Sequence, residues 1–285
     1  MVYLGRDIKK ERDVAVKLEV ALEGGSKLER EYEVYRAISG MRGIPKMLWY
    51  GMEGRYNAMV LSRLGCTLEE MARLSVLDAH AVFTYAKQMV LSPCSRSTLL
   101  FTSHSKLLVL KSLHDRHYVH LDVKPDNFMM GTGNRSSQVF LIDFGLTRLF
   151  RNPATHKHIT QVKGLDITGT VCYSSINSHL GLRQSRRDDL ESLAYVIIYL
   201  VKGRLPWQSI AVHPGQVHHD EVLKLKQGTT AKTLCKGLPQ PFIKFIQHIR
   251  SLGFDDKPDY WYLHSLLAQC ILLLNQTQLT TSTEP

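Results

Sequence analysis

The sequence predicts an α+β fold in two lobes: a small strand-rich lobe over residues 1–64, a larger, mainly helical lobe over 65–274, and a flexible tail over 275–285. Three observations predict it. The chain has 285 residues, enough for two lobes around a sizeable core. Residues 1–64 alternate like strands around a single helical stretch. From Gly65 onward the hydrophobic spacing turns helical.

Each element has a local cause. Asp13-Val-Ala-Val-Lys-Leu-Glu-Val20 alternates as a half-buried strand does, and Gly24-Gly25 breaks it. Ser26 can cap a helix from Lys27 to about Ser39, with Leu28, Tyr32, Tyr35 and Ile38 along one face. Gly40 and Gly43-Ile-Pro45 end that helix, and Tyr56 to Leu61 forms another strand. Thr67-Leu-Glu-Glu70 is a capping box, and Asp78 caps a helix running to about Leu91. Phe128–Met130 and Val139–Ile142 are strands around a turn at Gly131-Thr-Gly-Asn134. Asp189 to Val201 is an apolar, buried helix, and Phe242 to Leu252 an amphipathic one. Asn275 to Pro285 is polar and expected to fray.

Composition narrows the class. Hydrophobic residues make up 44%, ordinary for a globular protein. The longest apolar run, Leu193 to Val201, falls short of the ~20 residues a bilayer requires, so no membrane span is expected. No apolar stretch follows the first residues as in a signal peptide, so the expected location is cytoplasm and/or nucleus. The five cysteines are odd in number and lack CxxC spacing, which reads as reduced thiols. His213, His218 and His219 share one loop-like stretch and read as solvated rather than metal-binding. The net charge of +10 is scattered rather than run together. It argues against a dedicated nucleic-acid site and suits acidic peptides.

Two segments carry the chemistry: His120-Leu-Asp-Val-Lys-Pro-Asp-Asn127 and Asp143-Phe-Gly145. The pattern HxDxKPxN, then strand, turn and strand, then a hydrophobic residue before Asp-Phe-Gly resembles the catalytic loop and metal-binding segment of eukaryotic-type Ser/Thr protein kinases. Phosphoryl transfer needs positioning and charge neutralisation. In that chemistry Asp122 accepts the substrate hydroxyl proton, and Lys124 meets the γ-phosphate from the same side. Asn127 offers an amide oxygen to one Mg²⁺, and Asp143 bridges a second to the β- and γ-phosphates of ATP. Lys17, in Val14-Ala-Val-Lys17, is the expected nucleotide lysine, with its ion-pair partner on the next helix. Glu29, Glu31 and Glu33 all lie there.

Beyond these parts the chain resembles the casein kinase I family. The most specific stretch runs from Thr168-Gly-Thr170 through Ser174-Ser-Ile-Asn177-Ser-His-Leu-Gly181 to Gln184-Ser-Arg-Arg-Asp-Asp-Leu-Glu-Ser192. Ser175-Ile-Asn177 stands where most kinases carry Ala-Pro-Glu, a replacement that marks the family. Leu205-Pro-Trp-Gln208, Leu234-Cys-Lys-Gly237 and Phe254-Asp-Asp-Lys-Pro-Asp-Tyr260 match too, and the resemblance covers roughly residues 1–267. It selects Glu31 as the partner of Lys17. It makes Leu61-Ser-Arg-Leu64 the hinge, where Leu61 and Leu64 contact the nucleotide, and Asp189 the brace beneath the catalytic loop. A helix N-cap is the plainer role for Asp189. The resemblance implies a monomeric Ser/Thr kinase using ATP and Mg²⁺ on Ser or Thr near acidic or phosphorylated residues.

Four departures stand out. The chain begins at Val2-Tyr-Leu-Gly5, which matches the family's second strand, so the first strand and the glycine-rich phosphate loop would lie before Met1. About 17 extra residues, centred on Ser92 to Leu108, interrupt the helix before the catalytic loop, and Pro93 cannot sit inside it. Leu121 and Cys172 replace two arginines of the family's anion-binding group, leaving Lys226 as the remaining substrate- or anion-binding member. After Leu267 the chain no longer follows the family. The expected function is a Ser/Thr kinase acting on acidic protein substrates. The alternative is a catalytically impaired kinase-like scaffold or a defective gene product.

Overall fold

The computed structural model describes residues 1–21, 26–90, 109–211 and 219–281. The N-terminal lobe is one antiparallel sheet of β1 (Val2–Asp7), β2 (Arg12–Val20), β3 (Met47–Glu53) and β4 (Tyr56–Ser62), in the order β1-β2-β4-β3. The register sets Lys17 opposite Met59 and Ala15 opposite Leu61. Helix α1 (Lys27–Ala37) covers one face through buried Leu28, Val34 and Tyr35. Its start is fixed twice. Ser26 Oγ accepts from Glu29 N at 3.0 Å, and Glu19, at the end of β2, accepts from Leu28 N at 3.0 Å. These contacts satisfy amides that the first turn leaves unpaired and tie α1 to the strand bearing Lys17.

The C-terminal lobe is helical. Helix α2 (Leu68–Arg73) opens on the expected capping box: Glu70 N donates to Thr67 Oγ1 at 3.0 Å and Thr67 N to Glu70 Oε2 at 2.8 Å. Asp78 caps α3 (Ala79–Val90), accepting from Ala81 N at 2.7 Å. Helix α4 (Leu110–Asp115) leads to two small ribbons. β5 (Tyr118–Val119) pairs with β8 (Arg148–Leu149), and β6 (Phe128–Met130) with β7 (Val139–Leu141). After them come α5 (Ile176–His179), α6 (Arg186–Lys202), α7 (Gln208–Ala211), α8 (His219–Gly228), α9 (Ala231–Leu234), α10 (Gln240–Ser251) and α11 (Tyr260–Thr281). The core is built on α6, whose residues from Leu193 to Ile198 are all buried. Rings of α3 and α10 meet over it, Phe83 edge-on to Phe242 at 5.4 Å.

The structure corrects two expectations. Helix α6 starts at Arg186, with Ser185 at its N-cap and Ser185 N donating to Asp188 at 2.7 Å. Asp189 therefore lies within the first turn and is free for another role. Helix α11 continues through Asn275 to Thr281 rather than fraying at Asn275. Its buried residues Leu263, Leu266, Leu267 and Cys270 anchor it, and the Leu and Gln residues that follow are good helix formers. Cys66, Cys172, Cys235 and Cys270 are unpaired thiols. His219 opens α8, whereas His213, His218, Cys94 and the 92–108 insertion lie outside the described residues. Among the described residues, no helix is long and apolar enough to cross a membrane.

Candidate active site

The site lies where the two lobes meet, and three charged residues from three elements converge there. Lys17 on β2 donates to Glu31 Oε2 on α1 at 2.6 Å and to Asp143 Oδ1, after β7, at 3.0 Å. Glu31 is 3% exposed, whereas Asp143 is 45% exposed and faces the cleft. Burial alone would lower Lys17, but the carboxylates of Glu31 and Asp143 outweigh it and raise its pKa. Burial pushes Glu31 up, against the pull of Lys17. Asp143 is lowered, because the Lys17 charge and hydrogen bond overcome its own burial. Glu29 and Glu33, the other candidates from sequence, make no contact with Lys17. Glu29 lies on the exposed side of α1, and Glu33 pairs with Arg36 at 2.8 Å.

Asp143 adopts a left-handed backbone with φ 62°. Such strain costs on the order of 1–3 kcal/mol and persists only where neighbours fix it. Here the neighbours are rings. Phe144 is 1% exposed and sits edge-on to Tyr35 of α1 at 4.9 Å, one helical turn beyond Glu31. On its other side Phe144 meets the His120 ring at 5.4 Å. The stack joins α1, the Asp-Phe-Gly segment and the catalytic loop in one packed column.

The second cluster centres on Asp122. Its Oδ2 lies 2.9 Å from Lys124 Nζ and accepts from Asn127 Nδ2 at 3.2 Å. Its Oδ1 accepts from the Thr170 hydroxyl at 2.8 Å and from Thr170 N at 2.9 Å. Lys124 also donates to Thr170 Oγ1 at 3.2 Å. Asn127 Nδ2 donates to the Asp122 carbonyl at 2.8 Å, so the amide oxygen is the end available to a hard cation. Thr170 and Gly169, which in sequence carry only the family resemblance, therefore join this cluster. At Gly169, φ is 87° and an added Cβ would lie 2.3 Å from the Leu121 carbonyl. That glycine lets the segment carrying Thr170 pass against the catalytic loop.

Beneath both clusters, Asp189 is 1% exposed. Its carboxylate accepts from His120 N at 2.7 Å, Leu121 N at 2.9 Å and His114 Nε2 at 2.9 Å. Burial would raise it, yet these partners, His114 first, hold it below the usual carboxylate range. Leu121 has φ 71°, a conformation unusual for a leucine, and its bond to Asp189 secures it. Asp189 thus does more than cap a helix.

The remaining predicted residues fall apart from these clusters. Leu61 pairs with Ala15 across the sheet, and Leu64 is 9% exposed on the segment joining the lobes. Gly65 N, next along, donates to Met130 O at 2.7 Å and anchors that segment to β6. Lys226 does not reach a surface where an anion could meet it. It is 0% exposed, and its Nζ donates to Val171 O at 2.9 Å and Ser174 O at 2.6 Å. Cys172 is also buried. Lys226 shares the inner face of α8 with Val222, four residues earlier, which explains its burial.

The oxygens of Asp143 and Asn127 are hard donors suited to a small divalent cation that keeps water and phosphate ligands. Among the described residues, no group of three or more His, Cys, Asp or Glu is placed to hold a metal by itself. A family model described as protein kinase domain matches residues 1–256. The match spans most of the chain and agrees with the small antiparallel-sheet lobe, the helical lobe and the cleft between them, so this chain belongs to the protein kinase family, whose members use ATP and a divalent metal to phosphorylate proteins.

Proposed function

We propose that the chain is a Ser/Thr protein kinase of casein kinase I type, transferring the ATP γ-phosphoryl group to Ser or Thr of acidic protein substrates. The observation that carries this reading is the Asp122 cluster, with carboxylate, ammonium and an aliphatic hydroxyl within 3.2 Å of one another. The Thr170 hydroxyl contacts Asp122 and Lys124 together, an arrangement that a substrate Ser or Thr oxygen can adopt on the open side. Asp122 accepts the proton of that oxygen as it bonds to the γ-phosphorus, and ADP leaves with the bridging oxygen. Lys124 neutralises charge on the transferred group, and Lys17 holds the α- and β-phosphates. Asp143 and Asn127 would hold Mg²⁺ beside the phosphates, and the metal would supply further charge neutralisation. Leu61 and Leu64 flank the adenine from the hinge.

Preference for acidic substrates is supported by the net charge of +10. A phosphorylated priming residue is not held by Lys226, which is buried. Lys17 is paired with Glu31 and Asp143, and Asp122 with Lys124 and Thr170, which favours an active enzyme over a kinase-like scaffold. The proposal includes a monomer working in the cytoplasm or nucleus, on the resemblance and the sequence alone. The test is phosphate incorporation into an acidic serine-containing protein with Mg²⁺ and ATP, beside an Asp143→Asn control. Incorporation by the wild type alone supports the reading, and equal incorporation by both would sink it.

A further inference from the structure

Lys226 is the one fully buried lysine among the described residues, and its surroundings give it a use that no anion-binding role explains. The ammonium carries three protons and meets three acceptors: the carbonyls of Val171 and Ser174, and His179 Nε2 at 3.0 Å. Burial, with the Lys226 charge second, pushes His179 down to about 4, so the ring is neutral and can accept. Below the ammonium lie the rings of Tyr195 at 5.1 Å and Trp207 at 5.2 Å, the aromatic faces that a desolvated cation prefers. Burial lowers Lys226 itself to about 7, and in either protonation state it keeps two donors for the two carbonyls.

Those carbonyls bracket a third fixed one, because Trp207 Nε1 donates to Cys172 O at 2.8 Å. The segment Val171–Ser174 is therefore held from below at three of its four carbonyls. Directly before it comes Thr170, whose amide and hydroxyl hold Asp122. A path of short contacts thus runs from α8 through this segment to the carboxylate.

We propose that Lys226 is a positioning residue that clamps the 170–174 segment and so sets the orientation of Asp122, rather than a contact for an anion on the substrate. The proposal rests on the Ser/Thr kinase reading. It predicts an effect on turnover that is blind to substrate phosphorylation.

Lys226→Met keeps the length of the side chain and removes its donors. For that variant, kcat should fall on the order of ten- to a hundred-fold, as a displacement of about 1 Å at a reacting group produces. KM for ATP should not change, and the ratio of rates on phosphorylated and unphosphorylated versions of one peptide should stay at the wild-type value. Lys226→Gln, which retains an N–H₂ donor, should recover part of the loss. Unchanged kcat, or a loss confined to the phosphorylated peptide, overturns the clamp.

A second measurement uses the wild-type protein and does not depend on the variants folding. Brief acylation at pH 7, read by mass spectrometry, should label exposed Lys224 and leave Lys226 unmodified. Labelling of Lys226 that phosphopeptide prevents would also overturn the proposal, because it would place the amine where a substrate anion reaches it. A wild type without turnover counts against the kinase reading. A wild type with turnover whose Lys226 variants lose nothing counts against the clamp.

Discussion

The two halves of the active site are built differently. The nucleotide half is three charges from three elements, Lys17, Glu31 and Asp143, and two of them are partly open to solvent. The hydroxyl half gathers Asp122, Lys124, Asn127 and Thr170 on two adjoining loops, and fully buried groups fix those loops from beneath, Asp189 under one and Lys226 under the other. Ion pairs between elements tolerate relative movement of the lobes and depend on pH. Hydrogen bonds to buried side chains do not give way without leaving a polar group unpaired. The difference suggests that the lobes adjust around the nucleotide while the acceptor geometry stays fixed.

Substitutions on each side should separate these behaviours. The largest effect is expected for Asp122→Asn, which removes the proton acceptor but can keep hydrogen bonds to Thr170. Turnover should fall by on the order of 10²–10⁴ with the melting temperature nearly unchanged, measured by steady-state kinetics and thermal melts. Asp189→Ala comes next. It strands His120 N, Leu121 N and His114 in the core and should cost roughly 3–5 kcal/mol of stability in urea titration, as removal of one member of a buried charged network does. Thr170→Val should reduce turnover by roughly ten- to a hundred-fold, from the loss of one charge-assisted hydrogen bond worth ~1.5–3 kcal/mol, with Thr170→Ser close to wild type.

The smallest effect concerns pH. Glu31 has a raised folded-state pKa, so the stability it contributes is present below its ordinary 4.5 and is lost as pH rises through the folded value. Lys17 limits that rise. In Lys17→Met the loss should therefore grow and extend to higher pH, seen as a steeper fall in urea midpoint with rising pH than in the wild type. In the wild type, the contribution of Lys17, whose pKa is raised, is present below 10.5 and is lost only as pH rises through its folded value.

Much of this was legible in the sequence because it is local. His120 to Asn127, Asp143 to Gly145, the Thr67–Glu70 capping box and the strand around Lys17 are short patterns whose spacing sets their geometry. What escaped is carried by contacts between distant segments. Thr170 reaches Asp122 across 48 residues, and His114 reaches Asp189 across 75. Lys226 misled for another reason. A lysine is ordinarily a solvated charge, and only its spacing from Val222 hinted that it pointed inward. Glu31 stands apart from Glu29 and Glu33 by the helix face it shares with Leu28 and Tyr35, and the family resemblance selects the same residue. The geometry gives the physical ground, because Glu31 is the one of the three that is buried.

The most direct test of the division between the halves is the dissociation constant for Mg²⁺-ATP, measured by calorimetry on the wild type, Asp122→Asn and Lys17→Met. The account predicts that Asp122→Asn binds as the wild type does while failing to turn over, and that Lys17→Met binds at least several-fold more weakly. Equal weakening in both variants would contradict it.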